Sequence, residues 1–205
     1  MDYNLALPLA EKLVDILQPA CKRIEIAGGL RRQETDPHDI ELVAIPDLRS
    51  PRLAFGSPIY ESLLDAILGS LSHYDEDDLL IHLSKNGSKF KQFAISQDGG
   101  QSWLIKVDLF LITPPADWGV LYLIRTGPAD FSRWIVTQKH KGGGLPNGYR
   151  IEDGRILSEN NDYIPCPEEI DFLSFCKLTW IKPSRRQPMW QRSVRKITVH
   201  QLAKL

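Results

Sequence analysis

Residues 28–47 read GGLRRQETDPHDIELVAIPD. The run just upstream, Arg23–Ala27, alternates Arg, Ile, Glu, Ile, Ala and predicts a strand that ends at Gly28-Gly29. A second strand is expected over Asp39–Ile45, stopped by Pro46. Residues two apart on a strand share a face, so Asp39 and Glu41 emerge side by side while Ile40 and Leu42 turn to the core. Two carboxylates that close repel unless a cation sits between them. Hard divalent cations prefer oxygen ligands, which makes Mg²⁺ the natural guest. The plainer alternative is a tight glycine turn followed by a solvent-facing Asp-x-Glu pair. Both readings stand on this stretch alone.

A third carboxylate narrows the choice. Asp108 is the only acidic residue in WLIKVDLFLI (103–112), and Lys106 and Phe110 share its face of the expected strand. A lone Asp there is either a satisfied polar core residue or a metal ligand. The combination is more specific than any part. Gly28-Gly29 after a strand lets backbone N–H groups approach a phosphate, and Arg31 or Arg32 offers a fork-shaped cation for triphosphate oxygens. With Asp39, Glu41 and Asp108 these are the components of two-metal phosphoryl transfer.

Elsewhere the periodicity predicts helices over Leu7–Leu17, closed by Pro19, and over Ile59–Leu71, with a loop from Pro46 to Ser57. Strands follow at Leu79–Leu83, Lys89–Ser96 and Trp103–Ile112, the last two joined by the turn QDGGQS. Composition shifts after Thr113-Pro114-Pro115. Helices are then expected over Trp118–Arg125, Ala129–His140 and Pro167–Leu178, with a hairpin turn at Asp153-Gly154 inside Ile151–Leu157. Strands and helices in separate runs argue for an α+β fold.

A composition of 42% hydrophobic and 25% charged residues is that of a globular chain. No apolar run spans a bilayer and MDYNLALPLAEK lacks the pattern of an export signal, so no membrane is expected as a partner. Three cysteines without a CxxC pair read as free thiols of a cytoplasmic protein, a nuclear or host-cell compartment staying open. The net charge of −1 hides an asymmetry. Residues 34–78 carry eleven acidic groups, whereas 172–205 carry eight Lys/Arg and no acid, a pattern suited to a polyanionic partner.

The motifs GGLRR (28–32), DIE (39–41), KVDLFLI (106–112), GVLYLIRTGPADF (119–131), LPNGYRI (145–151) and EEIDFLSFCKLTWIKPSRR (168–186) follow one another in the order of a known pattern. In that order the chain resembles the nucleotidyltransferase superfamily, and within it the family X (polymerase β-like) DNA polymerases. The resemblance runs from about residue 21 to 186 and rests on six weak motifs being collinear.

The resemblance implies a palm domain over 1–113, a mixed β-sheet with helices on one face. It implies a small α+β nucleotide- and DNA-contacting domain over 114–190, and a basic tail over 191–205. Asp39, Glu41 and Asp108 would be catalytic and hold two Mg²⁺ ions, with Mn²⁺ able to substitute. Gly28, Gly29, Arg32, Arg125, Thr126 and Gly127 would bind the nucleotide. Ser132, Arg133, Lys139, Lys141, Tyr149 and Arg150 would meet DNA. The implied activity is transfer from a dNTP to a primer 3′-hydroxyl on primer-template or gapped DNA, as in short-gap filling during repair or replication. The form would be a compact monomer lacking the lyase and helix-hairpin-helix modules. The chain departs from the family pattern at Gly29 (usually Ser), Glu41 (usually Asp), Arg125 (usually aromatic) and Ser132 (often Asn). Two other readings compete: a template-independent or small-molecule nucleotidyltransferase, and a catalytically silent nucleic-acid-binding module.

Overall fold

The computed structural model describes residues 1–47, 52–54, 57–59, 63–71, 79–96 and 105–186, with backbone alone at 52–54 and 57–59. The QDGGQS turn and the 191–205 tail lie outside the described residues. The chain divides into two compact units: Met1–Leu30 with Glu34–Ala116, and Arg31–Gln33 with Asp117 onward.

In the first unit, α1 (Tyr3–Leu17) is capped by Asp2, whose carboxylate accepts from the Asn4 N–H at 2.7 Å. Ala6, Ala10, Leu13 and Leu17 recur at helical spacing and are fully buried. The helix starts upstream of the expected Leu7 because Asp2 caps it and Pro8 is accommodated inside, at the loss of one N–H for the ladder. A short 3₁₀ turn at Gln18–Ala20 then feeds β1 (Cys21–Ile26). The one-turn helix α2 (Gly28–Arg31) leads towards β2 (Ile40–Pro46). The stretch expected as a loop contains a small hairpin, β3 (Arg52–Ala54) and β4 (Ser57–Ile59). Next come α3 (Leu63–Ser70), β5 (Leu80–Asn86), β6 (Phe90–Ser96) and β7 (Ile105–Leu111).

The five-stranded sheet runs β1-β2-β7-β6-β5 and is mixed: β2 and β7 are parallel, and the other pairs antiparallel. Ile40, Leu42 and Ala44 of β2 and Val107, Leu109 and Leu111 of β7 share one hydrophobic core with α1 and α3. Truncating a fully buried member such as Leu13 to Ala would cost about 2–5 kcal/mol. Alternation then commits Glu41, Val43, Asp108 and Phe110 to the opposite face. On the core face, buried Lys91 is held by Asp65 of α3 at 2.5 Å and by Asn86.

The second unit packs α4 (Trp118–Thr126), α5 (Ala129–Val136) and α6 (Glu169–Phe175) with a three-stranded antiparallel sheet. Its strands are β8 (Tyr149–Glu152), β9 (Arg155–Ser158) and β10 (Tyr163–Ile164), in the order β10-β9-β8. Val120, Leu123, Phe131, Ile135, Ile156, Phe172 and Leu173 form its core. The Asp153-Gly154 hairpin turn is present, with both φ values positive (48° and 74°), as a type I′ turn demands. Helix α5 ends at Val136 rather than running to His140, because Thr137 turns extended and a 3₁₀ turn covers Lys139–Lys141. The architecture is α+β. All three cysteines are free and buried. Among the described residues, no helix is long and apolar enough to cross a membrane.

Candidate active site

The parallel pairing of β2 with β7 sets Glu41 directly beside Asp108 on the sheet face away from α1 and α3. Asp39 stands one residue before the strand begins, not within it as expected, and Lys106 precedes Asp108 by two positions on the same face. Lys106 bridges the pair: its Nζ lies 2.7 Å from Asp39 Oδ2 and 3.2 Å from Asp108 Oδ2. Hydrogen bonding to Asp39, opposed by burial and reinforced by Asp108, holds the Lys106 ammonium above the ordinary lysine range. The other oxygen, Asp108 Oδ1, accepts from Gln92 Nε2 at 2.8 Å, and Gln92 faces Asp108 across the β6–β7 pair. Ser84 of β5 donates to the Gln92 carbonyl at 2.9 Å, so the polar row crosses from β5 to the foot of β2.

Glu41 takes a different partner. The Ala27 N–H donates to the Glu41 carbonyl at 2.8 Å, which brings the next residue, Gly28, over the Glu41 side chain. Gly28 has φ +57°, and a Cβ built there would lie 1.7 Å from Glu41 Oε2 and 2.9 Å from Glu41 Cβ. Gly29 is less confined: a built Cβ would lie 2.6 Å from Glu34 Oε2, the end of a side chain that can move, and 3.3 Å from Pro37 Cβ. The two glycines thus bring backbone close to two carboxylates of their own unit.

The donor chemistry fits one hard cation between Asp39 and Asp108, because oxygens of both already converge on a single positive charge. Among the described residues, no three Asp, Glu, His or Cys side chains are gathered closely enough to hold a metal. The full trio expected from the sequence is therefore not assembled, since Glu41 lies against Gly28.

Within the second unit, Arg32 Nη1 donates to the Thr126 carbonyl at 2.7 Å, which joins two of the expected nucleotide-binding residues. Arg31 grips Glu169 with both terminal nitrogens (2.8 and 2.6 Å), donates to Thr126 Oγ1 at 2.6 Å and stacks on Tyr122 at 3.8 Å. Arg186 donates to the same Glu169 at 2.7 Å. Burial alone would raise the Glu169 carboxyl, but the Arg31 hydrogen bond and the Arg186 charge hold it below the usual range. Arg125, next to buried Thr126, is exposed. A Cβ at Gly127 would lie 2.5 Å from the Phe131 ring.

The expected DNA-contacting residues divide. Arg133 and Lys141 are exposed and line a groove of about 410 Å³ with Trp134, Thr137 and Gly142-Gly143. Lys139 is exposed, its Nζ 3.5 Å from the Cys176 carbonyl. Three others are committed to structure. Ser132 Oγ donates to the Ile124 carbonyl at 2.5 Å, closing the α4–α5 turn. Tyr149 packs edge-on against Phe175 at 4.9 Å. Arg150 is engaged by Glu152, the Ser158 carbonyl and Asn161.

Sequence reasoning assigned no role to Lys106, Gln92 or Glu169. Only Lys106 carried a signal, since its spacing from Asp108 puts the two on one face. No family model matches the chain, and no curated protein matches it significantly.

Proposed function

We propose that the chain is a nucleotidyltransferase of the polymerase β-like type, moving a nucleotide from a dNTP to a primer 3′-hydroxyl. The observation that carries this reading is the pair Asp39–Asp108. The Asp39 carboxylate, just before β2, and that of Asp108 on the parallel neighbour β7 converge on one cation position, on the sheet face opposite α1 and α3. A divalent cation held there would lower the pKa of the attacking hydroxyl, and a second would neutralise charge on the leaving pyrophosphate. Asp39 and Asp108 would hold it, with Gln92 fixing the Asp108 carboxylate through Oδ1. Glu41, in register with Asp108, would join as a ligand of a second ion by turning away from Gly28. In the second unit, Arg32, Thr126 and Gly127 would serve the nucleotide, while Arg133, Lys139 and Lys141 would meet the nucleic-acid backbone.

Primer extension with Mg²⁺ or Mn²⁺ tests the reading. Incorporation on gapped or primed template that Asp108→Asn abolishes supports it. Incorporation that survives Asp108→Asn means the site is wrongly assigned. Untemplated tailing on single strands points instead to a template-independent transferase. The silent nucleic-acid-binding reading has one observation in its favour: Lys106 already neutralises the acidic pair. Binding to DNA with no incorporation under any metal would establish it.

A further inference from the structure

We propose that Lys106 is a resident counterion, holding Asp39 and Asp108 together until a divalent cation displaces it. The inference rests on the reading above to the extent that a cation enters this site. Asp108 has two carboxylate oxygens, and Gln92 pins one of them, Oδ1, at 2.8 Å. The other, Oδ2, is therefore the oxygen left to face a cation, and Lys106 holds it together with Asp39 Oδ2. An ammonium at 2.7 and 3.2 Å and a metal requiring oxygens at about 2.0–2.1 Å cannot occupy the same gap. Entry of one means exit of the other.

Lys106 is built to leave. Its side chain is 48% exposed, and a flexible four-carbon stem can carry the ammonium into solvent without unpacking a core. Lys91 on the opposite face of the sheet shows the contrast. It is 4% exposed and tied to Asp65 and Asn86, so its charge is fixed in place. Both lysines compensate carboxylates, but only Lys106 does so at a position where a competing cation has access. Its role is positional: it keeps two like charges in a binding-ready arrangement in the absence of metal.

The test uses the whole chain, Lys106→Met and Lys106→Arg, with Mn²⁺ binding read by electron paramagnetic resonance of the free ion. Removing the competitor should tighten Mn²⁺ binding by about tenfold in Lys106→Met, the equivalent of losing one partly screened ion pair. That gain should vanish in Lys106→Met/Asp108→Asn. In chelator the Met variant should melt about 2–4 °C below the native chain, and Mn²⁺ should restore it. Lys106→Arg keeps a charge that can fork onto carboxylate oxygens, so it should bind Mn²⁺ no more tightly than the native chain. The proposal is overturned if Lys106→Met binds Mn²⁺ no more tightly than the native chain, or if its melting loss is not recovered by metal. Tighter Mn²⁺ binding in Lys106→Arg overturns it even if the Met variant does not fold. The outcome is separable from the enzymatic reading. Incorporation by the native chain with unchanged Mn²⁺ affinity in Lys106→Met sinks the counterion alone. A tenfold gain without incorporation by the native chain sinks the polymerase reading alone.

Discussion

Gly28→Ala should be among the most damaging one-methyl changes in this chain, and the damage should depend on Glu41. Two separate costs meet at the position. With φ at +57°, any side chain enters the left-handed region, which for an L-residue costs about 1–2 kcal/mol. The new Cβ would also lie 1.7 Å from Glu41 Oε2, 2.5 Å from its Cδ and 2.9 Å from its Cβ. The carboxylate can swing aside, but the Glu41 Cβ is fixed to β2, so the β1–β2 connection itself must give. Overpacking of this kind costs about 1–3 kcal/mol. The sum, about 2–5 kcal/mol, is a large share of the roughly 5–15 kcal/mol that stabilises an ordinary domain.

A double-mutant cycle separates the two costs. In a Glu41→Ala background the Oε2 and Cδ contacts disappear, while the left-handed φ and the Cβ contact remain. Gly28→Ala should then cost less there than in the native chain, with a coupling of about 0.5–3 kcal/mol. Urea unfolding followed by far-ultraviolet circular dichroism on the four proteins measures it. Equal costs in the two backgrounds, within about 0.5 kcal/mol, would refute the claim that Glu41 lies against Gly28.

Two further predictions concern groups that act through a neighbour. Gln92→Leu removes the hydrogen bond that fixes Asp108 Oδ1, and loss of such a supporting partner should lower kcat/KM for primer extension by about 10–100-fold. A rate within twofold of the native chain would deny Gln92 this role. Glu169→Gln leaves Arg31 and Arg186 facing a neutral amide, and breaking a buried charged cluster should cost about 3–5 kcal/mol. Because the Glu169 pKa is depressed on folding, its contribution is fully present above the ordinary glutamate pKa. It is lost as pH falls through the lower folded value. The native chain should therefore lose stability over that acid range more steeply than Glu169→Gln, and superimposable acid limbs in urea titrations would contradict the assignment.

The sheet was legible where side-chain alternation is strong. Ile40, Leu42 and Ala44, and Val107, Leu109 and Leu111, specify two strands and which face each buries. Helix periodicity located the buried ends of α1 and α3 but not their starts. Asp2 caps α1 by a local hydrogen bond that leaves no periodic trace. The end of α5 at Val136 leaves no periodic trace either. A Cβ at Gly143 would lie 1.9 Å from the Thr137 carbonyl, so the glycine loop folds back against the chain just past the helix and leaves it no room to continue. The β3–β4 hairpin has only three residues per strand, too few for alternation to register.

The site was half legible for a deeper reason. Periodicity says which face a residue takes, but not which strand will lie beside it. That Asp39, Asp108 and Lys106 belong together follows only once β7 pairs in parallel with β2, across a long intervening stretch of chain. Likewise Arg31 and Glu169, 138 residues apart, have no pattern linking them until α4 and α6 pack in one core. The consequence for the quoted stretch 28–47 is specific. Its two glycines differ: Gly28 is required by its φ and by the Glu41 Cβ, whereas the nearest atom to a Cβ at Gly29 is the movable end of the Glu34 side chain. Its arginines hold Glu169 and the Thr126 carbonyl, and Asp39 holds Lys106. Arg31 and Asp39 are thus already paired with opposite charges of their own units, and Arg32 with a backbone carbonyl. Binding at such a site is an exchange of partners, so affinity is set by the difference between ligand and resident contacts, and removing a resident contact is the direct way to measure it.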